Sequence, residues 1–152
     1  MHERKDKWSV GQWMTANPRA IGPELSVRQA FFTMRREGFR HLPVVDDDRL
    51  VGMVTDRDLR RPDVTDEPDG WHEFYQLDAD YEVRHVMTTD PITTSPGAPL
   101  ERTLDLLLER RFGALPVVDK NDRLIGILTS FDLHRAFRAA LDQTGSALRS
   151  PD

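Results

Sequence analysis

Two short motifs in this chain pair a hydroxyl with a carboxylate three residues later: Thr55 with Asp58, and Thr129 with Asp132. Each follows an apolar stretch holding a glycine (Gly52 or Gly126) and precedes a leucine (Leu59 or Leu133), so each sits where a strand pattern gives way to a helix pattern. At a helix start the free backbone N–H groups favour anions or capping side chains. A carboxylate there either caps its own helix or accepts hydrogen bonds from a ligand, charge-assisted contacts of about 1.5–3 kcal/mol each. One such motif reads as a cap. Two at matching places, each behind a glycine-bearing strand, favour ligand contact.

They match because the chain repeats itself. Met14, Pro18 and Leu42-Pro43-Val44-Val45-Asp46 correspond to Met87, Pro91 and Leu115-Pro116-Val117-Val118-Asp119, and one extra residue enters the turn that follows in the second copy. A repeat of this period means that one unit does not bury its apolar face alone. Val27, Ala30, Phe31 and Met34 form the stripe of an amphipathic helix, with Ser26 placed to cap it and Gly38 to stop it. Leu100, Thr103, Leu104 and Leu107 repeat the spacing behind Pro99. Strand pairs are predicted at Leu42–Val45 with Leu50–Val54, and at Leu115–Val118 with Leu124–Leu128. Gly52 and Gly126 inside strands predict a close approach by another group. A last helix is predicted from Leu133 to a stop near Gly145.

The chain has 152 residues, a net charge of −5 and no cysteine, which excludes disulfides, thiolate catalysis and cysteine-based zinc sites. The charge is uneven: from Arg61 to Glu82 there are eight acids and one base, so this segment carries −7 and the remainder about +2. That distribution argues against a nucleic-acid partner, which calls for a basic stripe. No apolar run approaches the roughly 20 residues that cross a bilayer, so no membrane partner is expected. The charged first residues, Met1 to Lys7, do not resemble a secretory signal, and a cytoplasmic location is expected. The insert is rich in aromatics (Trp71, Phe74, Tyr75, Tyr81) and is expected to be ordered. Asp46-Asp47-Asp48 reads as a solvated hairpin turn rather than a metal site, and His72-Glu73 lacks the second histidine of a zinc-protease helix. With no phosphate loop, dinucleotide fingerprint or nucleophile elbow, no catalytic residue, metal or required cofactor is expected.

Met-Thr-x-x-Pro, then Arg-His-Leu-Pro-Val-Val-Asp, then Gly-Met-Val-Thr-Asp-Arg-Asp-Leu resembles the CBS domain, named for cystathionine β-synthase, and two copies resemble the tandem CBS pair. The long insert looks like that of small free-standing bacterial CBS-pair proteins, including the acetoin-utilisation type. The resemblance implies an α+β fold of two β-α-β-β-α repeats, packed sheet to sheet about a pseudo-two-fold axis. The boundaries expected are 8–62 for the first repeat, 63–82 for the acidic aromatic insert, 83–145 for the second repeat and 146–152 for a tail. It also implies clefts between the repeats that bind adenine nucleotides or S-adenosylmethionine, and pairing into homodimers.

Site residues follow from the same resemblance. Asp58 and Asp132 would accept the ribose hydroxyls, and Thr55 and Thr129 a ribose or phosphate oxygen. Arg40 and His41 match phosphate-contacting positions, with Arg57 and Arg135 adding charge. Their counterparts Gly113 and Ala114 make the clefts unequal. Ile21 and Gly22, like Thr93 and Thr94, match the segment lining the adenine pocket, where their backbone would read the base edge. Leu42, Met53, Leu115 and Ile127 would give apolar walls, and Pro43 and Pro116 are counted with them among the ligand-binding residues. The function expected is a non-enzymatic regulatory sensor of an adenosyl ligand that acts on an effector protein. The alternative is a constitutive dimerisation scaffold with empty clefts.

Overall fold

The computed structural model of the protein describes residues 6–59 and 81–144. The insert through Asp80, the stop at Gly145 and the tail at 146–152 lie outside the described residues. In chain order the elements are α1 (Val10–Trp13), β1 (Thr15–Ala16), α2 (Val27–Glu37), β2 (His41–Asp46), β3 (Arg49–Thr55), α3 (Asp56–Leu59), a 3₁₀ turn (Val83–His85), β4 (Thr88–Thr89), α4 (Leu100–Arg110), β5 (Ala114–Val118), β6 (Leu124–Thr129) and α5 (Ser130–Thr144). They form an α+β fold with two small sheets of strand order β1-β6-β5 and β2-β3-β4.

Helix α2 forms as its residues dictate. Ser26 Oγ accepts the Gln29 N–H at 3.1 Å, and Gly38 closes the helix at φ 76°. Its stripe of Val27, Ala30, Phe31 and Met34 is at most 3% exposed, each large member contributing about 1.5–3 kcal/mol before ordering entropy. Helix α4 differs in one position. Leu100, Thr103 and Leu107 are buried, but Leu104 is 38% exposed. Thr103 holds the inward place, its hydroxyl donating to the Pro99 carbonyl at 3.3 Å, and Leu104 is left on the flank of the stripe. Between β2 and β3, Asp47 and Asp48 have φ values of 49° and 65°, and Asp46 pairs with Arg49. This is a two-residue hairpin of the type that suits strand twist, so the acidic triplet is a turn.

The chain divides into two compact units, and they do not coincide with the two sequence repeats. Among the described residues, unit 1 comprises 6–17, 93–119 and 125–144, and unit 2 comprises 18–59, 81–92 and 120–124. The core of unit 2 gathers Ile21, the α2 stripe, Leu42, Val44, Val54, Leu59 and Val83. That of unit 1 gathers Val10, Leu100, Leu107, Leu115, Val117, Leu128 and Ala136. Val10 and Val83 are equivalent in the repeat and both have no exposed surface, yet each fills the core built by the other copy's helix and hairpin. Backbone bonds anchor them: Val10 N–H to Ala98 O at 3.0 Å in unit 1, and Val83 N–H to Leu25 O at 2.8 Å in unit 2.

The strand glycines explain how the exchanged segments dock. A Cβ on Gly126 would lie 2.5 Å from Met14 Sδ, and one on Gly52 would lie 2.5 Å from Met87 Sδ. The close approach predicted at both glycines is therefore made by the methionine of a Met-Thr motif. That seat lets β1 pair with β6 and β4 pair with β3.

Helix α4 ends less comfortably than α2. Arg111 stands where Gly38 stands in the first copy, at φ 56°, a region that costs a side-chain-bearing residue roughly 1–2 kcal/mol. Arg111→Gly is expected to stabilise the protein by about 0.5–1 kcal/mol, after the entropy of glycine in the unfolded chain is counted. Urea unfolding followed by circular dichroism checks this.

Candidate functional site

Each unit presents one strand-to-helix corner, and the candidate residues sort onto it by strand alternation. In unit 2 the cross-strand pairs His41↔Thr55 and Pro43↔Met53 alternate with Leu42↔Val54. Leu42 and Val54 belong to the core, so His41, Pro43, Met53 and Thr55 share the opposite face. The same parity places Ala114, Pro116, Ile127 and Thr129 together in unit 1, opposite the core residues Leu115 and Leu128. The apolar walls expected from Leu42 and Leu115 are thereby corrected. Both point into their cores and are 0% and 1% exposed.

The first-strand residues are corrected in part. Ile21 donates its N–H to Pro43 O at 3.0 Å and accepts from Val45 N–H at 2.9 Å; Thr94 bonds Pro116 O and Val118 N–H at 3.0 Å each. Both backbones are engaged by parallel bridges to β2 and β5, so their N–H groups are not free to read a base edge. The adjoining Gly22 and Thr93 are exposed, and no described residue beyond its chain neighbours lies within 4 Å of a Cβ built on Gly22.

Both Thr-x-x-Asp motifs fold as reciprocal capping boxes. Thr55 N–H donates to Asp58 Oδ2 at 2.9 Å while Asp58 N–H donates to Thr55 Oγ1 at 3.2 Å. Thr129 N–H donates to Asp132 Oδ2 at 2.9 Å while Asp132 N–H donates to Thr129 Oγ1 at 3.4 Å. The first amide of each helix is also engaged, Asp56 N–H by Arg40 O at 3.1 Å and Ser130 N–H by Gly113 O at 3.2 Å. The pool of free helix-start amides expected from the sequence is mostly occupied. What distinguishes the corners is the remaining carboxylate oxygen.

In unit 1 nothing remains. Asp132 has no exposed surface. Its Oδ2 also accepts Thr129 Oγ1–H at 3.1 Å, and its Oδ1 accepts Thr15 Oγ1–H at 3.0 Å and lies 3.5 Å from Arg135 Nη1. Arg135 in turn lies over the Trp13 ring, 5.9 Å from its centre, and Trp13 stacks on Trp8 at 5.6 Å. Thr15 and Trp13 were not legible as site residues; only the recurrence of the Met-Thr motif pointed to that segment. In unit 2, Asp58 is half-buried and its Oδ1 has no hydrogen-bond partner among the described residues. The half-buried His41 interacts electrostatically with Asp56, Arg40 and Asp58, and Arg40 and Arg57 are exposed.

Burial pushes the His41 imidazole below its ordinary value; Arg40 adds to that direction, and Asp56 and Asp58 oppose it. Neutral His41 therefore favours the folded state above the unfolded-state value of 6.5, and that contribution is lost as pH falls from there toward the lower folded value. The stability of His41→Gln is expected to fall less than that of wild type between pH 7 and pH 5.5, measured by urea unfolding at each pH. Asp132→Ala leaves buried donors without an acceptor and is expected to cost about 2–3 kcal/mol, a drop of roughly 5–10 °C in Tm. Asp58→Ala, which loses only a cap, is expected to cost about 1 kcal/mol. Thermal unfolding of the two variants side by side checks the difference.

Among the described residues no group of three or more side chains is placed to hold a metal ion, and no helix is long and apolar enough to cross a membrane. A duplicated helix-and-hairpin unit with a capped carboxylate at each strand-to-helix corner is the pattern of a known family: the CBS domain model matches residues 10–63 and 83–139, and the chain belongs to the CBS domain family as a tandem pair. CBS domain-containing protein CBSX2 of Arabidopsis thaliana is 33% identical over 85% of this chain and 63% of its own length. YhcV of Bacillus subtilis, another CBS domain-containing protein, is 29% identical over 92% of both chains. For several curated relatives, CBSX2 among them, the chain spans less than two-thirds of their length. The crystal structure of CBSX2 in complex with AMP is similar at 34% identity and a TM-score of 0.74, covering 88% of this chain and 98% of that one. The CBS domain pair of protein MJ0100, in complex with 5′-methylthioadenosine and S-adenosyl-L-methionine, is similar at 25% identity and a TM-score of 0.68, covering 85% and 98%.

Proposed function

We propose that this chain is a regulatory sensor of an adenosyl ligand, a binding module rather than an enzyme, and that the corner of unit 2 carries the ligand. The observation that carries this reading is Asp58, whose Oδ1 has no hydrogen-bond partner among the described residues and whose charge acts on His41, itself next to Arg40. A ribose diol donates to that oxygen, and the cationic side chains meet phosphate. His41, Pro43, Met53 and Thr55 supply the adjoining face, and Gly22 the open approach for the base. The AMP held by CBSX2 and the methylthioadenosine and S-adenosylmethionine held by MJ0100 support the ligand class. The ligand acts on an effector by stabilising one arrangement of the chain, and its leverage is limited to its difference in affinity between arrangements. Self-association belongs to the same reading. Leu108, Phe131 and Phe137 are 64–70% exposed, apolar side chains that a second copy would cover, and light scattering reports it.

Calorimetric titration with AMP, ADP, ATP and S-adenosylmethionine tests the sensor. At least one is expected to bind, and Asp58→Ala is expected to cost about 1.5–3 kcal/mol, roughly tenfold to hundredfold in affinity. Unaltered affinity in the folded Asp58→Ala protein removes the ribose assignment. Binding of none of the four leaves the constitutive scaffold as the standing reading.

A further inference from the structure

We infer that Thr15 is an internal plug. Its hydroxyl occupies the place of a ligand hydroxyl on Asp132, so that the chain binds one adenosyl ligand and not two. The inference rests on the sensor reading and adds its occupancy and the residue that sets it. A carboxylate offers about four lone-pair directions. Asp132 has four donors around it: Thr129 N–H and Thr129 Oγ1–H on Oδ2, Thr15 Oγ1–H on Oδ1 at 3.0 Å, and the Arg135 guanidinium at 3.5 Å from Oδ1. Its side chain is 1% exposed, so a diol gains access only by displacing one of these. Of the four, only Thr15 is a hydroxyl from a distant part of the chain, 117 residues away, and it donates as a sugar hydroxyl would.

The other copy holds the control. Thr88 is the repeat equivalent of Thr15, yet among the described residues its hydroxyl makes no hydrogen bond and Asp58 Oδ1 has no hydrogen-bond partner. The two motifs are chemically alike in sequence and unlike in free acceptor capacity. Arg135, stacked on Trp13 and drawn to Asp132, is likewise committed to the closed corner. With Gly113 and Ala114 in place of Arg40 and His41, that corner has no cation from the equivalent positions to offset the displacement.

Titration of the full chain with AMP to millimolar concentration, by equilibrium dialysis, decides the matter through stoichiometry, which a purely structural role for Thr15 does not move. Wild type is expected to bind one AMP per chain. Thr15→Ala is expected to bind two, the second at least tenfold weaker and removed by a further Asp132→Asn. Thr15→Ser, which keeps the hydroxyl, is expected to stay at one. Two equivalents in wild type, or one in a folded Thr15→Ala protein, overturn the plug while leaving the sensor intact. Absence of AMP binding throughout overturns the plug, and absence of binding by ADP, ATP and S-adenosylmethionine as well overturns the sensor. Should Thr15→Ala not fold, Asp58→Ala decides: a tenfold to hundredfold weakening of the single AMP equivalent supports a single open corner, and an equivalent that keeps its wild-type affinity overturns it.

Discussion

The interaction on which this structure depends is the seating of a methionine on a bare strand. Gly126 lies under Met14 and Gly52 under Met87, in each case closer than a Cβ would permit. From this follow the pairing of β1 with β6 and of β4 with β3, and the delivery of Val10 and Val83 into their cores. An alanine at either position would meet sulfur at 2.5 Å and strand backbone at about 3 Å, and the exchanged segment would have to lift. The Met-Thr motif is thus a docking element first. Its threonine acquires chemical importance only because docking carries Thr15 to Asp132.

A single local device, the capping box, serves two ends depending on what surrounds it. At both corners a threonine and an aspartate satisfy each other's amides. Where Thr15 and Arg135 close over the carboxylate it becomes a buried, fully coordinated anchor that ties β1 to α5. Where they do not, the same carboxylate retains acceptor capacity beside cationic side chains. The two readings a sequence offers for such an aspartate, cap and ligand contact, are therefore compatible. A half-satisfied carboxylate next to Arg40 and His41 is the one able to do both.

Much of the fold was legible because its signals are local and repeated. The α2 stripe, both hairpins, the acidic turn and the special standing of Gly52 and Gly126 all follow from periodicity, turn chemistry and the missing Cβ. The strand-to-helix corner that forms the candidate site was legible as a local geometry, and less so in its details. Leu42 and Leu115 stand beside site residues in sequence, but strand alternation turns them into the core. Ile21 and Thr94 lose their backbone groups to β2 and β5, pairings between segments too short to announce themselves as strands. Leu104 fits the helical period but yields the inward position to Thr103. The contact of Thr15 with Asp132 joins residues 117 apart, and no local pattern reports a partner that docking alone supplies.

The reciprocal trade of segments also bears on how such a chain came to exist. A lone copy of the motif carries a Met-Thr arm and a glycine seat, yet its arm is not the one that fills its own seat. A half-length forebear would have found its missing valine plug and edge strand only in a sibling molecule, each lending an arm to the other. Fusion of two such halves makes that loan intramolecular and frees the twins to diverge, as Asp132, bonded at both oxygens, and Asp58, whose Oδ1 is unbonded among the described residues, have done.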